Sequence, residues 1–372
     1  MAAKKKNIIS KASPHTIKKF ELIEEYIKSW AQKLLLTESC NGLIFIDCMC
    51  NSGVYTDDAG QLVKGTAVRV SEALREASRS YTEKNIHIYL NDKDKARVDE
   101  LKKHLPQDER NFKIVTSCGD AHELLRTIGP QLYGTGHLHY FLLYDPYDAT
   151  IDWEALLPFF RNWGEVMINH MVSDPVRAIT SAKKKTTKAK YENTYLEDFE
   201  KLVPYGSDKK AYEARVEEII NSLKGARRYY VSAFPFYNTQ NSLVYNLIHC
   251  TSNKEGFKLY KKSAWKVFGA QSSTKHSVEN RQLSFNLFGE IAEEESCLHV
   301  IDIAKYLQRS FRGRKQVPLD EMWELLDNHP IFPSEGFRNE VKSDLTDFFG
   351  AKIEQIVNPD TGKKETVISF SS

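Results

Sequence analysis

The sequence predicts an open α/β fold: a mostly parallel sheet that ends in an antiparallel edge, followed by a small separate domain. Short apolar runs alternate with helical patterns through the first two-thirds of the chain. Two later runs are joined by a short turn, and the tail reads as three helices followed by a hairpin. Strand–helix alternation puts helices on both faces of a parallel sheet, while a closing hairpin supplies an antiparallel edge.

Residues 1–14 read as a loose basic arm. Ser13-Pro14 then opens a helix, with Ser as N-cap and Pro in the first turn. Ile17, Phe20, Ile23, Ile27, Trp30 and Leu34 recur at helical spacing as an apolar stripe reaching about residue 36. The run 43–46 is short and β-branched, a buried strand ending at Asp47. Gly65-Thr66 opens a helix to about 77. Strands are predicted at 86–90, 112–116, 139–144 and 165–169, with helices at 93–105, after Asp120, and at 153–160. The hairpin comprises 229–234 and 243–249 around a turn at 235–241. A polar, largely helical insertion fills 172–227. The main domain therefore spans 15–270, with a polar linker at 271–296. In 297–372, helices near 300–310, 318–328 and 335–348 precede strands at 353–357 and 366–370, the plan of a winged helix.

The 372 residues are 41% hydrophobic and 27% charged, ordinary for a globular protein. With 52 basic and 50 acidic side chains the net charge is +2, so attraction to nucleic acid has to come from local patches. No apolar run approaches the roughly 20 residues needed to cross a bilayer. The basic start is not followed by the apolar segment of a secretory signal. Six scattered cysteines suit reduced thiols, and the expected setting is the cytoplasm.

Ligands of an open α/β sheet bind beyond the carboxyl ends of the strands. Four successive strands deliver an acid there: Asp47, Asp92, Asp120 and Asp145. In the loop after the first strand, Gly53 permits positive φ and Asn51 tolerates it. The loop lacks G-x-G-x-x-G and Gly-Lys-Ser/Thr, so a pyrophosphate cradle is poorly supported. Acids suit instead a ligand with a sulfonium, an ammonium, a ribose diol and an adenine, which is S-adenosyl-L-methionine. Asp92 would accept both ribose hydroxyls, Asp120 with the Ala121 amide would read the adenine edge, and Asp47 would face the ammonium. Asp145-Pro146-Tyr147 is similar to the [D/N/S]-P-P-[Y/F] motif of amino-directed methyltransferases, with one proline in place of two. There the acid orients the acceptor amine and the aromatic ring stacks on its plane.

His15-Thr16, Lys19-Phe20-Glu21-Leu22, Tyr26 and Trp30 resemble the opening helix of the three-Cys-motif partner proteins. Asp47 to Gly53, Gly65-Thr66, Asp92 to Asp94, Asp145-Pro146-Tyr147 and the strand 243–249 follow that family's order across residues 13–350. The resemblance implies a class I methyltransferase-like, Rossmann-like fold with a winged-helix-like tail, a bacterial or phage source, and a partner carrying a three-cysteine iron–sulfur motif. The chain departs from the family at Met49, Cys50 and Asn51, where Phe, Ala and Gly are usual.

Each strand-end acid has a second reading as the cap of the next helix, and Asp145-Pro146-Tyr147 as a strand-ending turn. Cys48 and Cys50 have no second pair at ligand spacing, so they read as filling of a tight loop, with no metal expected. Lys183, Lys184, Lys185 and Lys188, with Arg312 and Arg314 in the tail, are candidate contacts to DNA or RNA; the alternative is a solvated surface. His15 either caps its helix or closes over the cofactor. Two functions follow as expectations: methyl transfer to an amino nitrogen, with nucleic acid as acceptor, or a degenerate methyltransferase-fold adaptor for a protein partner.

Overall fold

The computed structural model describes residues 7–132, 137–161, 163–179, 182–205, 208–223, 229–276, 297–357 and 362–371. It divides into two compact units, residues 1–257 and 258–372.

In the first unit, seven strands build one sheet: β1 (Gly42–Asp47), β2 (Asn85–Asp92), β3 (Phe112–Cys118), β4 (Leu138–Tyr144), β5 (Gly164–Met171), β6 (Tyr230–Tyr237) and β7 (Leu243–Thr251). Their order is β3-β2-β1-β4-β5-β7-β6. The first five run parallel, and β7 is antiparallel to both its neighbours. This order and this single reversed strand make the class I methyltransferase fold. Every residue of β1 is buried, because helices cover both faces of the sheet and leave no polar side. On one face α1 (Pro14–Leu35) lays Trp30 edge-on to Phe141, and Phe45 stacks on the same ring. Around the sheet lie α2 (Thr66–Ser80), α3 (Lys95–Lys102) and α4 (Ala121–Gln131). The insertion is largely helical among its described residues, and includes α5 (Lys185–Tyr195) and α6 (Lys209–Leu223).

The strand order reverses direction of growth at β1, whose neighbours β2 and β4 lie on opposite sides. A crevice opens at such a switch point beyond the carboxyl ends. Asp47 ends β1 and Asp145 follows β4, so the two acids flank the crevice.

Three departures from the sequence reading have physical causes. The arm is tied down near its end: Ser10–Lys11 pairs in parallel with Tyr55–Thr56, and the Ala12 amide donates to the Thr56 carbonyl at 2.8 Å. A two-residue strand has no periodicity to betray it; residues 1–6 lie outside the described residues. Next, β6 runs through Pro235, which was expected in the turn and instead faces Asn246 in the ladder. β6 is an edge strand, where a missing N–H is tolerated. Finally, the second unit begins at Lys258, inside α7 (Lys254–Phe268), and not after 270. Trp265 of α7 is fully buried beside Phe332 and Phe337, and its indole N–H donates to the Ile331 carbonyl at 3.0 Å. The Lys261 ammonium, also buried, donates to the carbonyls of Leu326, Asp327 and His329 at 2.8, 3.1 and 2.7 Å.

The rest of the second unit is α8 (Val300–Ser310), β8 (Val317–Pro318), α9 (Leu319–Asn328), α10 (Arg338–Asp347), β9 (Lys352–Val357) and β10 (Lys364–Ser369). Its antiparallel sheet has the order β8-β10-β9. Most of the expected linker, 277–296, and the turn residues 358–361 lie outside the described residues.

Candidate functional site

Sequence dictates the loop after β1 through two backbone angles. Asn51 and Gly53 take φ of 57° and 70°, a region that suits glycine and is tolerated by Asn. The turn carries the Asn51 amide onto Asp92 Oδ2 at 3.1 Å, and Asp92 Oδ1 accepts the Asp94 amide at 2.9 Å. Asp92 is thus a buried carboxylate that ties the end of β2 to the loop after β1. Its Oδ2 has a further partner, the Tyr147 hydroxyl at 2.8 Å. Arg97 of α3 donates to that hydroxyl and lies 5.1 Å from the ring centre.

A cleft of about 600 Å³, including its open mouth, runs along this edge. Met49, Asp92, Asp120, Ala121, Pro146 and Tyr147 line it, together with His122 and Asp148. Asp120 serves as the N-cap of α4: its Oδ1 accepts the His122 and Glu123 amides at 2.9 and 3.1 Å. The Glu123 amide bond holds its carboxyl below the usual value. The helix-cap reading therefore holds for Asp120, although the residue still reaches the cleft. His122 is anchored to the Tyr144 hydroxyl at 2.9 Å.

Asp47 and Asp145 form a second cluster, close enough for the charge of one to act on the other. Asp47 is 3% exposed and accepts only the Met49 amide, at 3.1 Å, among the bonds of the described residues. Burial, then the Asp145 charge, raise its carboxyl from 3.8 to about 8. Asp145 is fully engaged: Oδ2 takes the Lys19 ammonium at 2.6 Å and Oδ1 takes the Asn169 side-chain amide at 2.6 Å. Lys19 comes from α1 and is only 6% exposed, with Nζ 5.2 Å from the centre of the Tyr245 ring.

The structure thus brings Asp92, Asp120, Ala121, Pro146 and Tyr147 to one cleft, with Asp47 and Asp145 beside it. Asn51 and Gly53 shape the loop without lining the cleft. Tyr147 was expected to stack on an acceptor at Asp145; its hydroxyl instead sits on Asp92. His15 bonds Ser13 and faces Tyr245, and neither caps the helix backbone nor lines the cleft. Cys48 and Cys50 are buried, and burial pushes both thiols well up. Among the described residues no group of three His, Cys, Asp or Glu side chains is arranged for a metal, and no helix is long and apolar enough to cross a membrane.

Lys183, Lys184 and Lys185 are exposed before or at the start of α5. Lys188 pairs loosely with Glu200 at 3.7 Å and covers the Phe199 ring. Lys190 reaches the cleft-lining Asp148 at 2.5 Å, so the lysine-rich helix is fastened to the cleft rim. In the second unit Arg312 is exposed, whereas Arg314 is paired with Glu321 at 2.7 Å. Sequence reading missed Lys19 and Asn169. Lys19 lies beside an apolar helical stripe, where a charge is normally assigned to solvent. Asn169 lies near the end of β5, beside Asp145, a position that only the sheet order makes meaningful.

Fold and cleft define a methyltransferase-fold domain with an acid-lined site at its switch point. No family model matches the chain, and no curated protein does. Similar solved structures include Trm1 from Pyrococcus horikoshii with S-adenosyl-L-methionine, at 12% identity and TM-score 0.35. That match covers 70% of this chain and 62% of the other, so the chain spans less than two-thirds of its length. Human methyltransferase-like protein 13 with SAH is 6% identical over 73% of this chain and 97% of that one, with TM-score 0.31. MNMC2 from Aquifex aeolicus is 8% identical over 62% and 61%, with TM-score 0.30.

Proposed function

We propose that the first unit is an S-adenosyl-L-methionine-dependent methyltransferase acting on an amino nitrogen, with nucleic acid as the acceptor class. One observation carries the reading: at the switch point of a class I methyltransferase sheet, Asp47, Asp92 and Asp145 converge around the buried Lys19 ammonium. Asp47 keeps its proton to about pH 8, first because it is buried and then because the Asp145 and Asp92 charges add repulsion. A cationic ligand relieves that repulsion, whereas a pyrophosphate would worsen it.

The bound cofactor would supply a methyl group activated on a positive sulfur. Asp92 would hold the ribose diol after the Tyr147 hydroxyl gives up Oδ2. The Ala121 amide, at the start of α4, and Met49 would border the base. Asp145 would accept an N–H of the acceptor. The protein's share is position and electrostatics. Lys183, Lys184 and Lys185, beside a helix fastened to the cleft rim through Lys190, support nucleic acid as the acceptor, as does the helix–strand–helix–helix–strand–strand order of the tail, which we read as a winged helix. A target base would be single-stranded or flipped to reach the site.

Calorimetric titration with S-adenosyl-L-methionine and its demethylated product tests the cofactor. Asp92→Ala is expected to weaken binding by about 1–3 kcal/mol, the cost of unpaired hydroxyls. Labelled methyl incorporation into single- and double-stranded DNA and RNA tests the acceptor. No binding at millimolar ligand by a folded protein sinks the reading.

The engagement of Asp92 by Tyr147 and of Asp145 by Lys19 favours a second reading, a fold that has kept its architecture and lost turnover. It would serve as an adaptor, the three-Cys-motif iron–sulfur protein being the partner that the sequence resemblance implies. Cofactor binding without methyl transfer, alongside a stable complex with such a protein, is its expected signature.

A further inference from the structure

β4 and β5 are parallel neighbours in register, Tyr144 opposite Ile168, so the next residues, Asp145 and Asn169, stand side by side at the carboxyl edge. The Asn169 side chain donates its Nδ2 to Asp145 Oδ1 at 2.6 Å. That bond fixes the amide's orientation, since the swapped form would set oxygen against carboxylate oxygen. Asn169 Oδ1 is then left buried with no hydrogen-bond partner among the described residues, in a residue 3% exposed. A buried carbonyl without a donor is costly, and an apolar side chain of similar size would avoid the cost. Beside it the Lys19 ammonium occupies Asp145 Oδ2 at 2.6 Å, over the Tyr245 ring. The cluster therefore offers two acceptor atoms of different residues, one filled by a nitrogen of this chain and one empty-handed.

We infer that Asp145 and Asn169 form a binding site for a primary amino group, in which the Lys19 ammonium holds the place of the incoming nitrogen. One N–H of the ligand goes to Asp145 Oδ2 as Lys19 withdraws, and the other goes to Asn169 Oδ1. The pair reads two N–H groups at once, so it accepts an NH2 group and discriminates against hydroxyl and fully substituted nitrogen. The inference deepens the methyl-transfer reading and rests on it only for the fate of the amine. There the nitrogen lone pair forms the N–C bond as the cofactor's C–S bond breaks. The nitrogen then sheds a proton to the Asp145 carboxylate, leaving a neutral thioether.

Lys19→Ala in the full chain removes the side chain beyond Cβ, and n-propylammonium restores the missing atoms. Its melting temperature should rise by about 2–4 °C at amine concentrations several times the dissociation constant. The unmodified chain, where Lys19 competes for the site, should show a smaller rise at the same concentrations, n-propanol should not substitute, and Asn169→Leu in the same background should abolish most of the rise. Equal stabilisation by propanol, or none by the amine, overturns the inference. Should Lys19→Ala fail to fold, hydrogen exchange of α1 in the unmodified chain decides. Propylammonium should speed exchange around Lys19 at concentrations where propanol does not, and no difference between the two overturns the inference. Adding labelled S-adenosyl-L-methionine separates it from the underlying reading. Propylammonium that binds, loses a proton to solvent and becomes methylated supports both, while binding without methylation, with cofactor bound, supports the amine site alone.

Discussion

Asp47 is an acid placed where its charge is unwelcome. In the unfolded chain it releases its proton near pH 3.8, and in the folded chain near 8, through burial and the adjacent Asp145 charge. Between those values the native state holds a proton that the unfolded state has lost, so stability falls as pH rises. The contribution is complete below about pH 4 and gone once pH passes about 8. Asp47→Asn keeps an acceptor for the Met49 amide and removes the titration. Urea unfolding of parent and variant should come closest below about pH 4 and separate progressively up to about pH 8, with Asn gaining in relative stability. A difference that does not change with pH excludes this account. Tyr147 is the second residue whose placement has consequences. Its hydroxyl uses the Asp92 oxygen assigned to the ribose in the proposed function, at 2.8 Å. Tyr147→Phe releases that oxygen, and calorimetry should show S-adenosyl-L-homocysteine binding about threefold to tenfold tighter, the worth of one hydrogen bond. Weaker binding by the Phe variant would mean that the hydroxyl serves the ligand.

Among the elements, α5 matters most to the cleft, since it braces the segment after β4. Thr194 is fully buried, its hydroxyl accepts the Ile151 amide at 3.2 Å, and its carbonyl accepts the Trp153 indole N–H at 2.7 Å. Thr194→Val keeps the shape and orphans the Ile151 amide. It should cost about 1–3 kcal/mol in denaturant unfolding and speed hydrogen exchange at 146–152. Stability within about 0.5 kcal/mol of the parent would show that the insertion leans on the cleft without bracing it. At this scale the sequence was most legible. Buried parallel strands read as apolar runs, so the first five strands, with the acids at or just beyond the ends of the first four, could be found, and an intervening turn marked the two strands of the hairpin. Positive φ at Asn51 and Gly53 was likewise readable from residue type. Three kinds of feature were not. Ser10–Lys11 pairs through backbone alone, Lys19 and Lys261 are buried charges that amphipathic reasoning sends to solvent, and Tyr147's choice of Asp92 over Asp145 depends on distances no spacing encodes. Lys261 also explains the misplaced boundary: the second half of α7 looks like the last helix of the first domain until its lysine is found capping carbonyls at the end of α9.

For the whole molecule, a net charge of +2 leaves nucleic-acid binding to local clusters, and the two units offer unequal ones. In the second, α10 is the helix that a winged helix would lay in a groove, yet it sets Arg338 and Lys342 against Glu340, Asp344 and Asp347. Arg314 is already paired with Glu321, and Lys305 with Asp302. In the first unit Lys183, Lys184 and Lys185 are exposed, with no ion pair among the described residues. Each phosphate neutralised by such a lysine steepens the dependence of log K on log salt by about 0.7–0.9, the lower figure for single strands. Replacing these three with Ala should therefore flatten the slope by up to about 2–3. Lys190 stays in place, because its bond to Asp148 at the cleft would confound the result. Arg312→Ala, in contrast, should change the slope by about one contact at most. Fluorescence titration of labelled single-stranded RNA and DNA across a salt series measures both variants. A slope that the triple lysine variant leaves unchanged removes this patch from the proposed nucleic-acid interface, whatever the affinity.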